Sequence, residues 1–495
     1  MLTLKDFLPE TKGCSSGGCG TTATQAAPYG IVKPYMIQRT GPADPAARIK
    51  PLFCVPTLSH IEITYACMED CLMCYNPTRT KVSQRDKDIV WEIVRSLGQS
   101  RVPHTYLIGG EPTYGYSKTE LQDYVEFLSD NGSSVTLVTN GQIRLKGMTQ
   151  RLACYGVSIH GADAETHDSI TRVRGSWKRA IETARHYVEE GHDVRIIPVV
   201  LGRNHDQMYR IAEIAWAIGA EAIYYDTYEP GGIGEENSHV EGLRLQPTYA
   251  ELKTAIGQII KAHDDFPFKG SIGLGTALPY CFDEGLVERG MLANCGVGSY
   301  FSAITNVGDF RICNQSKMGF GNVRQTPIED IWMSSDIDTH FRSLQWVEEP
   351  CSSCPVLEEC GGGCKVDEGC ASGEFCIDRV VRGLSPDLKL RLQQSDIRRA
   401  APKPEAPAAW RKFRLNRYFA LTGRYADRGD IFFKTRYQTV RIGENEKTIL
   451  ESMQEAGGTV HEGDLVHAYR GQVDEAEIRR FVNGLERVDA IDLVS

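Results

Sequence analysis

Six short apolar runs recur between residues 58 and about 230: SHIEITYA, HTYLIGG, SVTLVTNG, YGVSIHG, VRIIPVVLG and AIYYDTY. Strands buried on both faces read this way. Helix-like patterns alternate with them; between the fourth and fifth runs, Ala180, Ile181, Ala184, Tyr187 and Val188 form one apolar stripe. Six strands, each followed by a helix, predict an α/β fold whose parallel sheet curls into a partial (β/α)6 barrel. In such folds the loops leaving the strands' C-terminal ends carry the chemistry. ITYACMEDCLMCYNP leaves the first strand, which puts Cys67, Cys71 and Cys74 on such a loop.

The 495 residues are too many for one ordinary core. We expect an irregular arm over 1–57, the barrel over 58–270, a cysteine-rich domain over 271–400, a Pro/Ala linker over 401–409 and a small α+β domain over 410–495. The linker lies in RRAAPKPEAPAAW. In the last domain IFFKTRYQTVRI reads as a strand or hairpin, with helices near 444–456, 460–469 and 474–487. Ile478, Phe481, Val482 and Leu485 give the last helix an apolar face. A net charge of −10 argues against broad nucleic-acid or anionic-membrane binding. The start lacks a basic segment followed by an apolar one, and no run of about 18 apolar residues occurs. A cytoplasmic location is expected.

Sixteen cysteines are many for such a chain, and they cluster at short spacings. Metal or cluster binding accounts for this better than disulfides, because the cytosol keeps thiols reduced. A [4Fe–4S] cube normally takes four thiolates. Three thiols on one short loop leave one iron open, as a catalytic zinc site leaves a position for substrate. A zinc site or plain buried thiols is the competing account.

Here the chain resembles the radical S-adenosylmethionine (SAM) family, whose signature is C-x3-C-x2-C after the first barrel strand. The resemblance implies that SAM chelates the open iron and is split by one electron into a 5′-deoxyadenosyl radical. An external low-potential donor of the flavodoxin or ferredoxin type would supply that electron. Met73 stands where the family usually has an aromatic residue, with Tyr75 beside it. LIGGEPT resembles the family's Gly-Gly-Glu motif: Gly109 and Gly110 would let backbone approach the ligand, Glu111 would accept from the SAM ammonium, and Pro112 follows. Thr139 and Asn140 in VTNG and Ser158 in VSIHG occupy matching positions. His160 replaces a common Asp. Arg172 is a candidate carboxylate partner and equally an ordinary surface Arg.

The order Cys295, Gly308, Cys313, then Cys351, Cys354, Cys360, Cys364, then a later cysteine resembles the SPASM extension of radical SAM enzymes, which holds two auxiliary [4Fe–4S] clusters. By position, one would use Cys295, Cys313 and Cys364, and the other Cys351, Cys354, Cys360 and Cys376, the last preferred to Cys370. The nearer cluster lacks one family cysteine. Cys281 completes it, or an iron stays open, or Cys14 or Cys19 of the arm serves. Cys154 reads as a small core residue. Auxiliary clusters suit oxidative chemistry, because a substrate radical that forms a new bond must lose another electron.

The C-terminal pattern resembles the winged-helix domain that captures leader peptides of ribosomally made, modified peptides. A DNA-binding winged helix fits poorly, with four acidic and three basic residues over 474–487. A plain packing domain is the other reading. The expectation is a radical SAM/SPASM enzyme with three [4Fe–4S] clusters that oxidatively cross-links a precursor peptide. A maturase oxidising a Ser or Cys on a protein is one alternative. A dehydrogenase of a small-molecule precursor is another, and a non-catalytic iron–sulfur or zinc protein a third. Tyr225, Asp226 and Glu229 end the sixth run, where a substrate would sit or ordinary loop residues would stand.

Overall fold

The computed structural model describes residues 35–38, 47–365 and 411–494, the latter two with short gaps. Described residues of 58–365 form one compact unit and those of 411–494 belong to another.

In the first unit, all six expected strands form: β1 (Leu58–Thr64), β2 (His104–Gly109), β3 (Ser134–Thr139), β4 (Cys154–Ser158), β5 (Val194–Ile197) and β6 (Ala222–Thr227). They pair in parallel in that order, and β7 (Ser271–Leu274) extends the sheet beyond β6. On the other flank, β8 (Phe301–Ile304) runs parallel to β1, followed by antiparallel β9 (Asp309–Arg311) and β10 (Gly319–Asn322). The barrel sheet and the strands of the cysteine-rich region are therefore one continuous sheet.

Helices α1 (Gln84–Gln99), α2 (Lys118–Asp130), α3 (Ala164–Thr171), α4 (Ser176–Glu189), α5 (Met208–Ile218), α6 (Gly232–Ser238) and α7 (Tyr249–Asp265) fill the connections. Ser83 and Asp86 start α1, and Ser117 and Glu120 start α2, as reciprocal capping boxes that satisfy the first free N–H groups. One expectation fails: no helix joins β3 to β4. The segment NGQIRLKGMTQRLA has no helical apolar period, and Gly141 and Gly147 take positive φ. Leu145, Met148 and Leu152 seal that side instead. Cys154 opens β4 and is fully buried, so it ends no helix.

Alternate strand residues divide the two faces. Ile61, Ile63, Leu107, Val157, Ile196 and Ile223 are fully buried under the helices. Tyr225 belongs with them, because its hydroxyl donates to Met208 O of α5 at 2.8 Å and so points away from the lumen. The concave face is polar. Arg195 of β5 donates from Nη1 to the Tyr106 hydroxyl of β2 at 2.6 Å, although β3 and β4 lie between those strands. Only a curled sheet brings these two residues together. The Arg195 guanidinium also covers the Tyr224 ring at 4.3 Å, and His60 stacks on Tyr106 at 4.8 Å. Together these side chains fill the lumen at mid-strand.

The second unit contains β11 (Lys412–Leu415), β12 (Ala420–Tyr425), β13 (Asp430–Lys434), β14 (Thr439–Ile442), α8 (Glu444–Ala456), β15 (Val460–His461), α9 (Glu462–Ala468), α10 (Glu475–Arg487) and β16 (Ile491–Val494). β11 sits between β15 and β16, and β12, β13 and β14 form a meander. Ile478, Phe481, Val482 and Leu485 of α10 are fully buried with Phe413, Phe433 and Ile449. No helix among the described residues is long and apolar enough to cross a membrane.

Candidate functional site

The three-thiol loop leaves β1 at the C-terminal end of the sheet and is fastened from three directions. Asp70 N and Leu72 N donate to Thr171 O and Ile170 O at 3.0 Å, which ties it to the end of α3. The Asp70 carboxylate pairs with Arg79 at 2.9 Å and Arg172 at 3.0 Å. Arg172 is thus engaged by the cysteine loop itself, in a left-handed conformation of φ 59°. The third fastening is the segment after β6. Gly234 N donates to Cys74 O at 2.7 Å, Ile233 N to Asn76 O at 3.1 Å, and Asn237 Nδ2 to Leu72 O at 2.8 Å. A Cβ on Gly232 would stand 2.1 Å from Tyr75 O, and that residue has φ +52°. Only glycine allows this contact.

N–H groups reach the Cys67 and Cys74 sulfurs, whereas Cys71 Sγ donates to the Glu69 carboxylate at 3.5 Å. Glu69 N donates to Cys67 Sγ at 3.4 Å, and Asn140 Nδ2 lies 3.7 Å from the same sulfur. Asn76 hydrogen-bonds Cys74 through backbone and side chain. Burial drives the Cys67 thiol up to about 12, and it also raises Cys71 and Cys74. Thiols at such positions ionise when a cation takes the charge, and N–H donors aimed at sulfur are the surroundings of a metal-bound thiolate.

Glu111 ties together the loops beside this one. It is fully buried and accepts from Thr113 N (3.0 Å), Thr113 Oγ1 (2.5 Å), Thr139 Oγ1 (2.7 Å) and Asn140 N (2.6 Å). Its own N–H donates to Ala66 O at 2.7 Å. Its proton affinity is raised by burial and moderated by these donors. Pro112 begins the short turn Pro112–Gly115, where its missing N–H costs nothing. The two glycines before Glu111 serve close packing on β1: a Cβ on Gly109 (φ +129°) would lie 2.2 Å from Thr64 O, and one on Gly110 2.3 Å from Ala66 O. Ser158 ends β4, partly exposed. Met73 packs against the cluster of Leu72, Ile170, Leu201, Tyr228 and Leu245. Burial holds the Tyr75 phenol protonated.

A hydrogen-bonded chain behind the loop went unseen in the sequence. The Ser176 hydroxyl donates to Glu69, and His167 Nε2 lies 3.0 Å from that hydroxyl. His167 Nδ1 accepts from His160 N at 3.0 Å, so Nε2 carries the proton. Burial holds His167 down at about 4, hence neutral, and lifts Glu69 to about 7. The one sequence signal was an acidic pair, Glu69–Asp70, set between two cysteines.

In the second set, Cys295 and Cys313 are close enough to interact electrostatically; burial pushes Cys313 up to about 12, with Gln315 and Ser316 N–H groups donating to it. Lys365, next to Cys364, donates from Nζ to Cys295 O at 3.1 Å. Cys354 N donates to Cys351 O at 3.1 Å, and Tyr280 N to Cys360 Sγ at 3.3 Å. Cys281 therefore stands one residue from a contact with Cys360, beside the Cys351–Cys360 group. Cys14, Cys19, Cys370 and Cys376 lie outside the described residues. Among the described residues no three Cys, His, Asp or Glu side chains are arranged to hold a single metal ion. The buried Asn76 Oδ1 and Gln315 Oε1, each two residues past a cysteine, have no hydrogen-bond partner among the described residues. Soft thiol donors supplied with N–H groups fit iron–sulfur clusters.

Comparison with known proteins agrees. The model described as Radical SAM superfamily matches residues 61–215, and that described as Iron-sulfur cluster-binding domain matches residues 295–355. The fold and site define a SAM-dependent radical enzyme with iron–sulfur clusters. Residues 61–215 thus match a radical SAM domain and residues 295–355 an iron–sulfur cluster-binding SPASM domain, the order found in radical SAM enzymes with that extension. It is similar to the PqqA peptide cyclase of Methylocella silvestris, 25% identical over 339 residues, 66% of this chain and 87% of that protein. It is also similar to the AdoMet-dependent heme synthase of Methanosarcina barkeri, 23% identical over 345 residues, 65% of this chain and 94% of that one. Among solved structures, Streptococcus suis SuiB bound to precursor peptide SuiA superposes with a TM-score of 0.53 at 18% identity, covering 66% of this chain and 76% of that one.

Proposed function

We propose that this enzyme oxidatively cross-links a ribosomally made precursor peptide in the cytoplasm, using SAM and three [4Fe–4S] clusters. The observation that carries this reading is the pairing, in one compact unit, of a strand-end loop of N–H-supplied thiols with a second set of gathered cysteines. When bound at Cys67, Cys71 and Cys74, the first cluster supplies the electron that splits SAM into methionine and a 5′-deoxyadenosyl radical. Around it Glu111 braces the loops after β1, β2 and β3, and Asn140 donates to Cys67. Ser158 and Tyr75 would contact SAM. A flavodoxin or ferredoxin type donor supplies electrons.

Cys295, Cys313 and Cys364 would hold one auxiliary cluster, and Cys351, Cys354, Cys360 and Cys376 the other, with Cys281 available beside the latter. The second unit would capture the leader, which adds a strand along the β12–β14 meander. Support comes from the peptide cyclase relative and the peptide-bound neighbour. The heme synthase relative favours a second reading, oxidation of a small molecule. The test is affinity capture of a short peptide encoded beside the gene, followed by mass spectrometry after anaerobic turnover with SAM. A loss of two hydrogens is expected; no binding and no mass change reject the reading.

A further inference from the structure

Glu62 of β1 is 1% exposed, yet it has partners both on the loop that follows β1 and on the distant segment around Cys313. Tyr65, two residues before Cys67, donates its hydroxyl to Oε2 at 2.8 Å. Arg311 forms an ion pair with Oε1, and Asn314 Nδ2 donates to that same oxygen at 2.9 Å. Arg311 and Asn314 flank Cys313. Arg311 also clamps the turn behind that cysteine, donating from Nη1 to Asn314 O at 3.2 Å and Ser316 O at 3.3 Å.

The Asn314 amide is oriented without ambiguity. A carboxylate only accepts, so the NH2 group faces Glu62 and Oδ1 faces His60, whose Nδ1 lies 2.9 Å away and must carry the proton. His60 is in turn held between Tyr106, stacked at 4.8 Å, and Phe301, edge-on at 4.7 Å. Every member of the bridge is thus fixed by a neighbour. One buried carboxylate joins the loop of Cys67 to the loop of Cys313.

We propose that Glu62 is a positioning residue that couples the two cluster loops and holds down the reduction potential of the auxiliary cluster bound at Cys313. This rests on the reading that Cys313 holds a cluster. The physical argument is electrostatic. Reduction adds negative charge to a cluster, and a buried carboxylate nearby opposes it. Without Glu62, the Arg311 guanidinium beside Cys313 loses its counter-charge and pulls the potential up.

The test uses full-length enzyme loaded with iron and sulfide, titrated potentiometrically and followed by electron paramagnetic resonance. Cys313→Ala marks the relevant signal as the one that disappears. In Glu62→Gln that signal should move to a more positive midpoint. In Tyr65→Phe, which keeps the carboxylate but removes a hydrogen bond that spreads its charge, it should move to a more negative one. Opposite shifts support the coupling; an unchanged midpoint in Glu62→Gln with normal iron content overturns it. Should Glu62→Gln fail to take up iron, Tyr65→Phe decides alone: a negative shift supports the proposal and no shift overturns it. If Cys313→Ala removes no signal, the cluster reading itself fails, and the proposal with it.

Discussion

Asn140 touches the cluster loop twice through its side-chain amide, 3.7 Å from Cys67 Sγ and 3.4 Å from Met68 Sδ, while its backbone N–H donates to Glu111 at 2.6 Å. An N–H donor to thiolate sulfur withdraws charge and makes a cluster easier to reduce. Asn140→Leu should therefore shift the midpoint of the SAM-binding cluster to a more negative value and slow formation of 5′-deoxyadenosine, both measurable on the loaded enzyme. Asp226 offers a pH-dependent case. Burial raises its carboxyl from 3.8 to about 6, with Arg195 and Thr276 pulling the other way. Because the folded state holds this proton more tightly, the group's contribution is complete below pH 4 and is lost as pH rises through 6. Asp226→Asn should leave the thermal midpoint nearly unchanged below pH 4. Above pH 6 it should stabilise the protein by about 1 to 3 kcal/mol, readable in melting curves at both pH values.

Elements were legible where the physics is local. β1 to β6 announced themselves because each is a short run rich in β-branched and apolar residues whose helix-facing positions are fully buried, and α4 because its buried face repeats every three to four residues. The helix expected between β3 and β4 was inferred from the rhythm of the fold rather than from its own residues, which are those of a loop. β8 was not anticipated as part of the barrel sheet: its partner β1 lies some 240 residues earlier, and nothing in FSAI encodes so distant a pairing. The same limit hid the strap of α6 on the cysteine loop. GGIG looks like an ordinary turn until Tyr75 O is seen 2.1 Å from a would-be Cβ. Gly232→Ala should strain this contact by about 1 to 3 kcal/mol. The expected outcome is a lower iron content after reconstitution and a lower melting temperature, with the 411–494 unit unaffected in its own far-ultraviolet signal.

At the scale of the whole chain, the cysteine spacings conveyed cluster chemistry directly for Cys67, Cys71 and Cys74 and for Cys351, Cys354, Cys360 and Cys364, because ligand sets must be close in space and these are also close in sequence. Glu62, Ser176 and His167 were invisible for the opposite reason: each acts on a cysteine loop from elsewhere in the chain. The division into two compact units gives a separable prediction. A chain ending before residue 405 should still form 5′-deoxyadenosine from SAM. It should lose affinity for the precursor peptide at least tenfold, about 1.4 kcal/mol, by fluorescence anisotropy. Undiminished affinity would favour the small-molecule reading. Finally, the bond from Arg195 to Tyr106 reaches from one wall of the barrel to another, with His60 and Tyr224 stacked against it. A substrate that enters from the strands' C-terminal ends, where the cysteine loop lies, therefore meets these side chains as a floor and is worked on above it.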